Sequence, residues 1–350
     1  MRTDLSLVDL AKELERRNAN KADYVTDTRK LTMEDDTTLS FQNGVRHNLQ
    51  ANDVAHKQIA ARLEIPAKYY DRMRASAPAM LAKNVNHWLQ GEPETRMIRT
   101  LDGKVRAFLS DHYNRIENED IAKAALPALL NQPGVQIVSS SITETRMYIK
   151  AVFTKVQGEV RKGDVVQAGV AISNSEVGLG AVNITPLIYR LVCTNGMILQ
   201  DSKYQARHVG GRVMETDDIR GMLTDETLKA DDTAIMMKVR DVVAASFDEV
   251  RFARQLDLMR GATEQKLEGN PAEAVKLLAK KNNLNEFEEG GILRNLIEGA
   301  DLSRWGLLNA ITATAKEEVL SYDRATELET LGGTLLAMPQ TDWRLLAKAA

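Results

Sequence analysis

Cysteine is almost absent: Cys193 stands alone among 350 residues. No disulfide can form within the chain, which fits a reducing compartment. No run approaches the ~18 apolar residues that a membrane-spanning helix needs. The segment Met1 to Leu10 carries Asp4 and Asp9 where a secretory leader would be apolar. The expected location is the cytoplasm, with no membrane partner. Histidine is scarce as well. His47, His56, His87, His112 and His208 do not pair at helical zinc-site spacing, and Cys193 has no second cysteine with which to share a metal. The chain has no Gly-x-x-x-x-Gly-Lys-Ser/Thr loop to cradle phosphates and no Gly-x-Ser-x-Gly elbow to present a nucleophile. These absences argue against an ATP-driven machine, a zinc hydrolase and a serine esterase, and no cofactor is expected. Aromatic residues amount to 5%, which limits how far base stacking can be used.

What is present is enough for a folded core: 43% of residues are hydrophobic and 27% charged. The net charge of −3 hides an uneven distribution. Residues 1–95 carry 14 basic and 14 acidic side chains, residues 96–212 carry 15 and 10, and residues 213–350 carry 17 and 25. A basic middle beside an acidic end indicates either a face that attracts a polyanion or two differently charged domains.

Periodicity divides the chain at similar places. Leu5 to Asn18 reads as an amphipathic helix, and Ala22 to Asp36 is polar without a clear period. Phe41 to Leu49 is a short strand or a turn about Asn43-Gly44. From Asn52 to Gln90 the pattern is helical, with Asn52 or Asp53 as cap and Pro66 dividing two helices. The string Ile59-Ala-Ala-Arg-Leu-Glu-Ile-Pro66 is of the sort found in helix-turn-helix units, although any two packed helices can produce it. Met97 to Leu101 and Lys104 to Leu109 flank Asp102-Gly103 and predict a hairpin. Asn118 to Leu130 predicts a helix with Asn118 as cap. Five further strands are predicted at Val135 to Ser141, Thr145 to Phe153, Asp164 to Ser173, Ala181 to Leu191 and Met197 to Leu199. Their connections are too short for helical crossovers, so the sheet is antiparallel. Beyond Thr216 the chain reads as helices: Asp217–Leu223, Ala234–Leu267, Pro271–Lys280, Asn285–Glu298, Ser303–Leu320 and Asp323–Thr330. The expected fold class is α+β: a mixed, mostly antiparallel sheet core with N-terminal helices and a helical C-terminal part. The segments are 1–95, a basic sheet-rich 96–212, and an acidic helical 213–350.

Groups with catalytic character are few. Asp111-His112 is either an acid–base pair or an ordinary surface pair, and Glu176 is a further acidic candidate. Cys193 lies at a strand end among apolar neighbours and reads as a buried strand residue. Ile172 to Ala181, rich in Ser, Asn, Glu and Gly, builds a tight structural turn or lines a ligand groove. The remaining signal is cationic. Arg96, Arg99 and Arg106 lie on the first hairpin. Arg146, Tyr148 and Lys150 alternate along one strand and so share a face. Lys203, Tyr204, Arg207 and Arg212 follow in a later cluster. Cations neutralise phosphates and rings stack on unpaired bases, so these ten residues are the candidate contacts to single-stranded nucleic acid. The alternative is a solvated sheet face laced with salt bridges.

Four stretches together carry a resemblance: Pro66-Ala-Lys-Tyr-Tyr-Asp-Arg-Met73, Arg99-Thr-Leu-Asp-Gly103, Ile172-Ser-Asn-Ser-Glu-Val-Gly178 and Arg190-Leu-Val-Cys-Thr-Asn-Gly-Met197. Over roughly residues 40–330 the chain resembles the phage- and plasmid-borne domain of unknown function nine-three-two. The resemblance brings no catalytic residues with it. It implies a setting on mobile elements, beside replication and recombination functions. Such elements often encode annealing proteins of the Red-beta, Erf and Rad-fifty-two classes, which assemble into rings or filaments and grip one strand without ATP.

The expected function is ATP-independent single-stranded DNA binding, with annealing, by a homo-oligomer. Its rivals are a protein-interaction factor of a mobile element, duplex DNA binding through the Ile59–Met73 helices, and a hydrolase using Asp111, His112 or Glu176.

Overall fold

The computed structural model describes residues 4–200, 204–206 and 225–348. Ser6 opens the first helix, α1 (Leu7–Asn20), by accepting a hydrogen bond from the Asp9 amide, and Leu10 and Leu14 form its buried stripe. The polar stretch that follows, which shows no period, is nonetheless β1 (Lys21–Asp27), a short 3₁₀ turn and β2 (Leu31–Met33). A hairpin of β3 (Leu39–Asn43) and β4 (Val45–Leu49) turns at Gly44, where φ is +73°. Three helices come next: α2 (Asp53–Arg62), α3 (Ala67–Ser76) and α4 (Pro78–Gly91). The hairpin of β5 (Thr95–Leu101) and β6 (Lys104–Ser110) turns at Asp102 and Gly103, with φ of +51° and +71°. Two consecutive positive φ angles are what a tight two-residue hairpin needs, and Asp-Gly tolerates them best.

This hairpin lies in the N-terminal sheet, whose strand order is β1-β5-β6. Ile98, Val105 and Phe108 pack in one cluster with Phe41, Ile59, Tyr70 and Val85. The helix α5 (Asn118–Leu130) leads to the main sheet. Glu117, not Asn118, occupies its N-cap position; the Asn118 side chain instead accepts from Asn174 Nδ2 at 2.9 Å.

The main sheet is antiparallel throughout. It runs β7 (Val135–Ile142), β8 (Met147–Arg161), β9 (Asp164–Asn174), β10 (Val182–Arg190) and β11 (Asn195–Ile198), and β12 (Tyr204–Ala206) also pairs with β10. Residues 147–153 of β8 are buried without a break, because both faces of the sheet are covered. Met147, Ile149, Ala151 and Phe153 face the largest core cluster, with Leu10, Ile121 and Val239 among its members. The opposite face lies under a C-terminal helix.

That C-terminal part comprises α6 (Asp225–Ala245), α7 (Glu249–Glu264), α8 (Pro271–Lys281), α9 (Glu286–Glu298), α10 (Arg304–Thr314), α11 (Tyr322–Ala337) and α12 (Gln340–Ala347). The single long helix expected over Ala234–Leu267 is divided at Ser246–Asp248. The Asp248 carboxylate accepts from the Val250 and Arg251 amides and starts a new helix there. Similar side-chain caps stand at Asn270, Asn285, Ser303 and Ser321. Buried Arg304 donates to the carbonyls of Leu335, Leu336 and Met338, which satisfies the orphan acceptors at the end of α11. Among the described residues no helix is long and apolar enough to cross a membrane.

Helix α11 meets β11 at glycine. A Cβ on Gly333 would lie 1.9 Å from the Ile198 carbonyl oxygen, whereas one on Gly290 of α9 would meet nothing within 4 Å. Alanine is intrinsically the better helix residue by about 1 kcal/mol. Gly290→Ala is therefore expected to raise the midpoint of thermal unfolding, and Gly333→Ala to lower it by parting α11 from the sheet.

Candidate nucleic-acid interface

The hairpin cations turn inward. Arg99 is fully buried and donates from Nε to Asp23 Oδ1 at 2.9 Å, from Nη1 to the Glu176 carbonyl at 2.8 Å, and from Nη2 to Glu117 Oε1 at 2.5 Å. Arg106 is buried too and donates from Nη1 to Glu176 Oε2 at 2.7 Å. Its Nε and Nη2 have no acceptor among the described residues. The other Glu176 oxygen accepts from the Asn118 amide at 2.8 Å. Lys21 Nζ completes the group 2.9 Å from Glu117 Oε2. Burial pushes the Glu117 carboxyl up, but the adjacent charges of Arg99 and Lys21 outweigh it and hold the group well below the usual carboxylate range. Arg96 is half-buried and bonds Glu94 in bidentate fashion at 2.6 and 2.7 Å, with Arg62 on the same carboxylate.

Arg146, immediately before β8, lies on the same side of the sheet as Tyr148 and Lys150, as alternation requires, but α11 lies across that face. The Tyr148 hydroxyl donates to Asp323 Oδ1 at 2.7 Å, and burial followed by that bond pushes the phenol well above its ordinary pKa. Lys150 Nζ donates to Glu329 Oε2 at 2.5 Å and Thr326 Oγ1 at 3.0 Å, and it sits 4.7 Å from the centre of the Tyr322 ring. Arg146 alone stays half-exposed; its guanidinium donates to the Leu179 carbonyl and packs over Gly180. Tyr204 pairs with Ile184 on β12 and packs at the margin of the large core. Its neighbour Gln205 therefore points to the opposite side of the sheet. Lys203, Arg207 and Arg212 lie outside the described residues.

Arg99, Arg106 and Lys150 are interior groups neutralised by carboxylates, and Tyr148 is buried with its hydroxyl engaged, so none of the four is a surface contact. The Ser-Asn-Ser-Glu stretch is mainly structural: Asn174 bonds the Ile116 carbonyl, Tyr113 donates to the Ser175 carbonyl, and Glu176 anchors Arg106. Cys193 lies in the turn between β10 and β11, half-buried, with Arg190 Nη1 3.2 Å from its sulfur. His112 Nε2 is 3.6 Å from Asp111 at the surface, while Glu176 is buried in its own bonds. Among the described residues no cluster of three or more His, Cys, Asp or Glu side chains is arranged to hold a metal.

One concavity remains on the α11 side of the sheet. A cleft of about 340 Å³ is lined by Arg146, Tyr148, Lys150, Asn183, Thr185, Gln200, Gln205, Asp323, Thr326 and Glu327, among others. Its amides and hydroxyls offer both donors and acceptors. Asn183 Oδ1 is buried there and has no donor among the described residues. Two cations and two carboxylates line it, and Lys150 is already committed to Glu329, so the walls do not attract a phosphate strongly. The sequence had pointed to Arg146, Tyr148 and Lys150. Asn183, Gln205 and Asp323 were missed, because uncharged amides and a distant helix give no local signal.

A family model described as Domain of unknown function (DUF932) matches residues 106–338, more than half of the chain. No curated protein and no solved structure matches.

Lys150→Met leaves Glu329 charged without a partner and is expected to cost about 3–5 kcal/mol in urea unfolding. Adding Glu329→Leu should recover part of that loss. Glu117 has a depressed pKa in the folded state, so its contribution is complete above the unfolded value near 4.3 and fades as pH falls below it. The acid limb of the stability–pH curve should therefore flatten in Glu117→Gln.

Proposed function

The chain belongs to the DUF932 family, and we propose that it binds single-stranded nucleic acid at the cleft beside Arg146, in its fuller form annealing strands without ATP as a homo-oligomer. The observation that carries this reading is the cleft itself: about 340 Å³ of polar, nearly charge-balanced space next to a half-exposed guanidinium. An unpaired base is uncharged and has donors and acceptors on its edges, which suits walls of Asn183, Thr185 and Gln205. Its phosphate lies outside, where Arg146 supplies the positive charge. Lys203, Arg207 and Arg212 are close to Gln205 in the sequence, outside the described residues, and the reading does not depend on them. The contact set omits Arg99, Arg106 and Lys150, which hold the fold, and it places Tyr204 on the far side of the sheet.

Fluorescence polarisation of labelled single-stranded oligonucleotides across a salt series tests the proposal. Affinity should fall linearly with the logarithm of salt. Arg146→Ala should weaken binding and reduce the slope by about 0.7, the loss of one phosphate contact. Asn183→Leu should weaken binding without changing the slope. Absence of binding at low salt, or identical binding by both variants, removes the reading. Mixing complementary strands with the protein and following duplex formation separates annealing from binding alone.

A further inference from the structure

The helical pair α2–α3 has the build of a helix–turn–helix. Asn52 caps α2 by accepting from the Ala55 amide at 2.9 Å. The helix ends in a doubly bonded turn: the Ile65 amide donates to the Ala60 carbonyl at 2.9 Å and the Glu64 amide to the Ala61 carbonyl at 3.3 Å. Glu64 adopts φ +54° to close it, a position usually given to glycine. Pro66 then fixes the entry to α3. Ile59, Ala60, Ile65, Tyr70 and Met73 are all buried, at the spacing that packs two short helices across a turn of four residues. His56 Nδ1 lies 2.9 Å from the Tyr70 hydroxyl and ties one helix to the other. The first helix is clamped to the hairpin, because Gln58 accepts from the Phe108 amide and donates to the Val177 carbonyl.

Arg74 Nη2 also donates to Asp53 Oδ1 at 2.8 Å, and among the described residues nothing covers the outer side of the second helix. Ala67, Lys68, Tyr69, Asp71, Arg72, Ala75 and Ser76 are exposed, and Tyr69 shows 46% of its surface. Lys68 and Arg72 are one helical turn apart and so lie side by side, with Tyr69 next to them. Neither cation has an ion pair among the described residues, and the same is true of exposed Lys57 on α2 and Lys83 on α4. Residues 52–91 hold six basic and three acidic side chains in a chain whose net charge is −3. Free cations flanking an unpartnered helix complement the negative charge of a duplex.

We propose that α2 and α3 form a duplex-DNA-binding unit, with α3 entering the major groove and Lys68, Tyr69 and Arg72 presented to base edges and phosphates. This surface lies outside the main sheet and its cleft, so it goes beyond the single-strand reading and stands or falls separately. Lys68 and Arg72 suit the acceptor atoms of guanine in that groove, and Lys57 and Lys83 suit the adjoining backbone.

The test is selection of full-length protein on a randomised duplex library, followed by gel shift on the enriched duplex. Binding should survive single-stranded competitor and be blocked by methylation of guanine N7, which faces the major groove. The double variant Lys68→Ala/Arg72→Ala alters only exposed side chains, and an unchanged thermal midpoint will show that it folds. It should lose at least about tenfold in duplex affinity, with a shallower salt slope, whereas Arg146→Ala should bind duplex like the parent. No duplex binding at low salt, equal binding by the folded double variant, or indifference to guanine methylation each overturns the proposal. Single-strand binding measured on the same two variants reports on the cleft independently.

Discussion

The fold turns on a charge cluster built around two guanidinium groups buried from solvent. Arg99 and Arg106 come from adjacent strands of the N-terminal sheet, Asp23 and Lys21 from the strand beside them, Glu117 from the start of α5, and Glu176 from the loop that leaves β9. Each carboxylate neutralises a cation from another element, and the Glu176 carbonyl binds Arg99 as well. Ion pairs of this kind contribute little net free energy compared with a well-packed apolar replacement. Their effect is on geometry. Arg99 finds its acceptors on β1, at the start of α5 and in the loop after β9, so the N-terminal sheet, α5 and the β9 loop are held in one arrangement.

Much of this architecture is legible in the sequence. The Asp102-Gly103 hairpin, five of the six strands described in the main sheet and the span of α5 agree with the structure to within a few residues, apart from the longer β8, because turn chemistry and a period of two are local properties. Strand β1 is not legible: its polar residues become a strand only by pairing with β5, some seventy positions away, as in Asp23 opposite Arg99. The long C-terminal helix was misjudged for the opposite reason. A single capping aspartate, Asp248, outweighed an apolar stripe that continues past it.

The candidate site shows where local patterns end. Alternation along β8 correctly places Arg146, Tyr148 and Lys150 on one face. It says nothing of what covers that face, and the cover is α11, supplied from the far end of the chain. A cation in an alternating strand therefore reads the same whether it meets solvent or Glu329. The same limit applies to Arg99 and Arg106, whose partners are scattered over the sequence. In contrast, the turn that joins α2 to α3 is closed by local bonds, such as that from the Ile65 amide to the Ala60 carbonyl, and for that reason the boundary between the two helices is legible in the bare sequence.

The bond between Lys150 and Glu329 spans 179 positions. During synthesis at about 5–20 residues per second, roughly ten seconds or more separate the two. Throughout that interval the nascent sheet carries Tyr148 and Lys150 on a bare face, with Val152, Ala171 and Leu187 on the same layer. An unlidded sheet of this kind is adhesive to other nascent chains and to chaperones. Helix α11 thus covers that face only once it has been synthesised, and a chain cut before it would leave Tyr148 and Lys150 without Asp323 and Glu329.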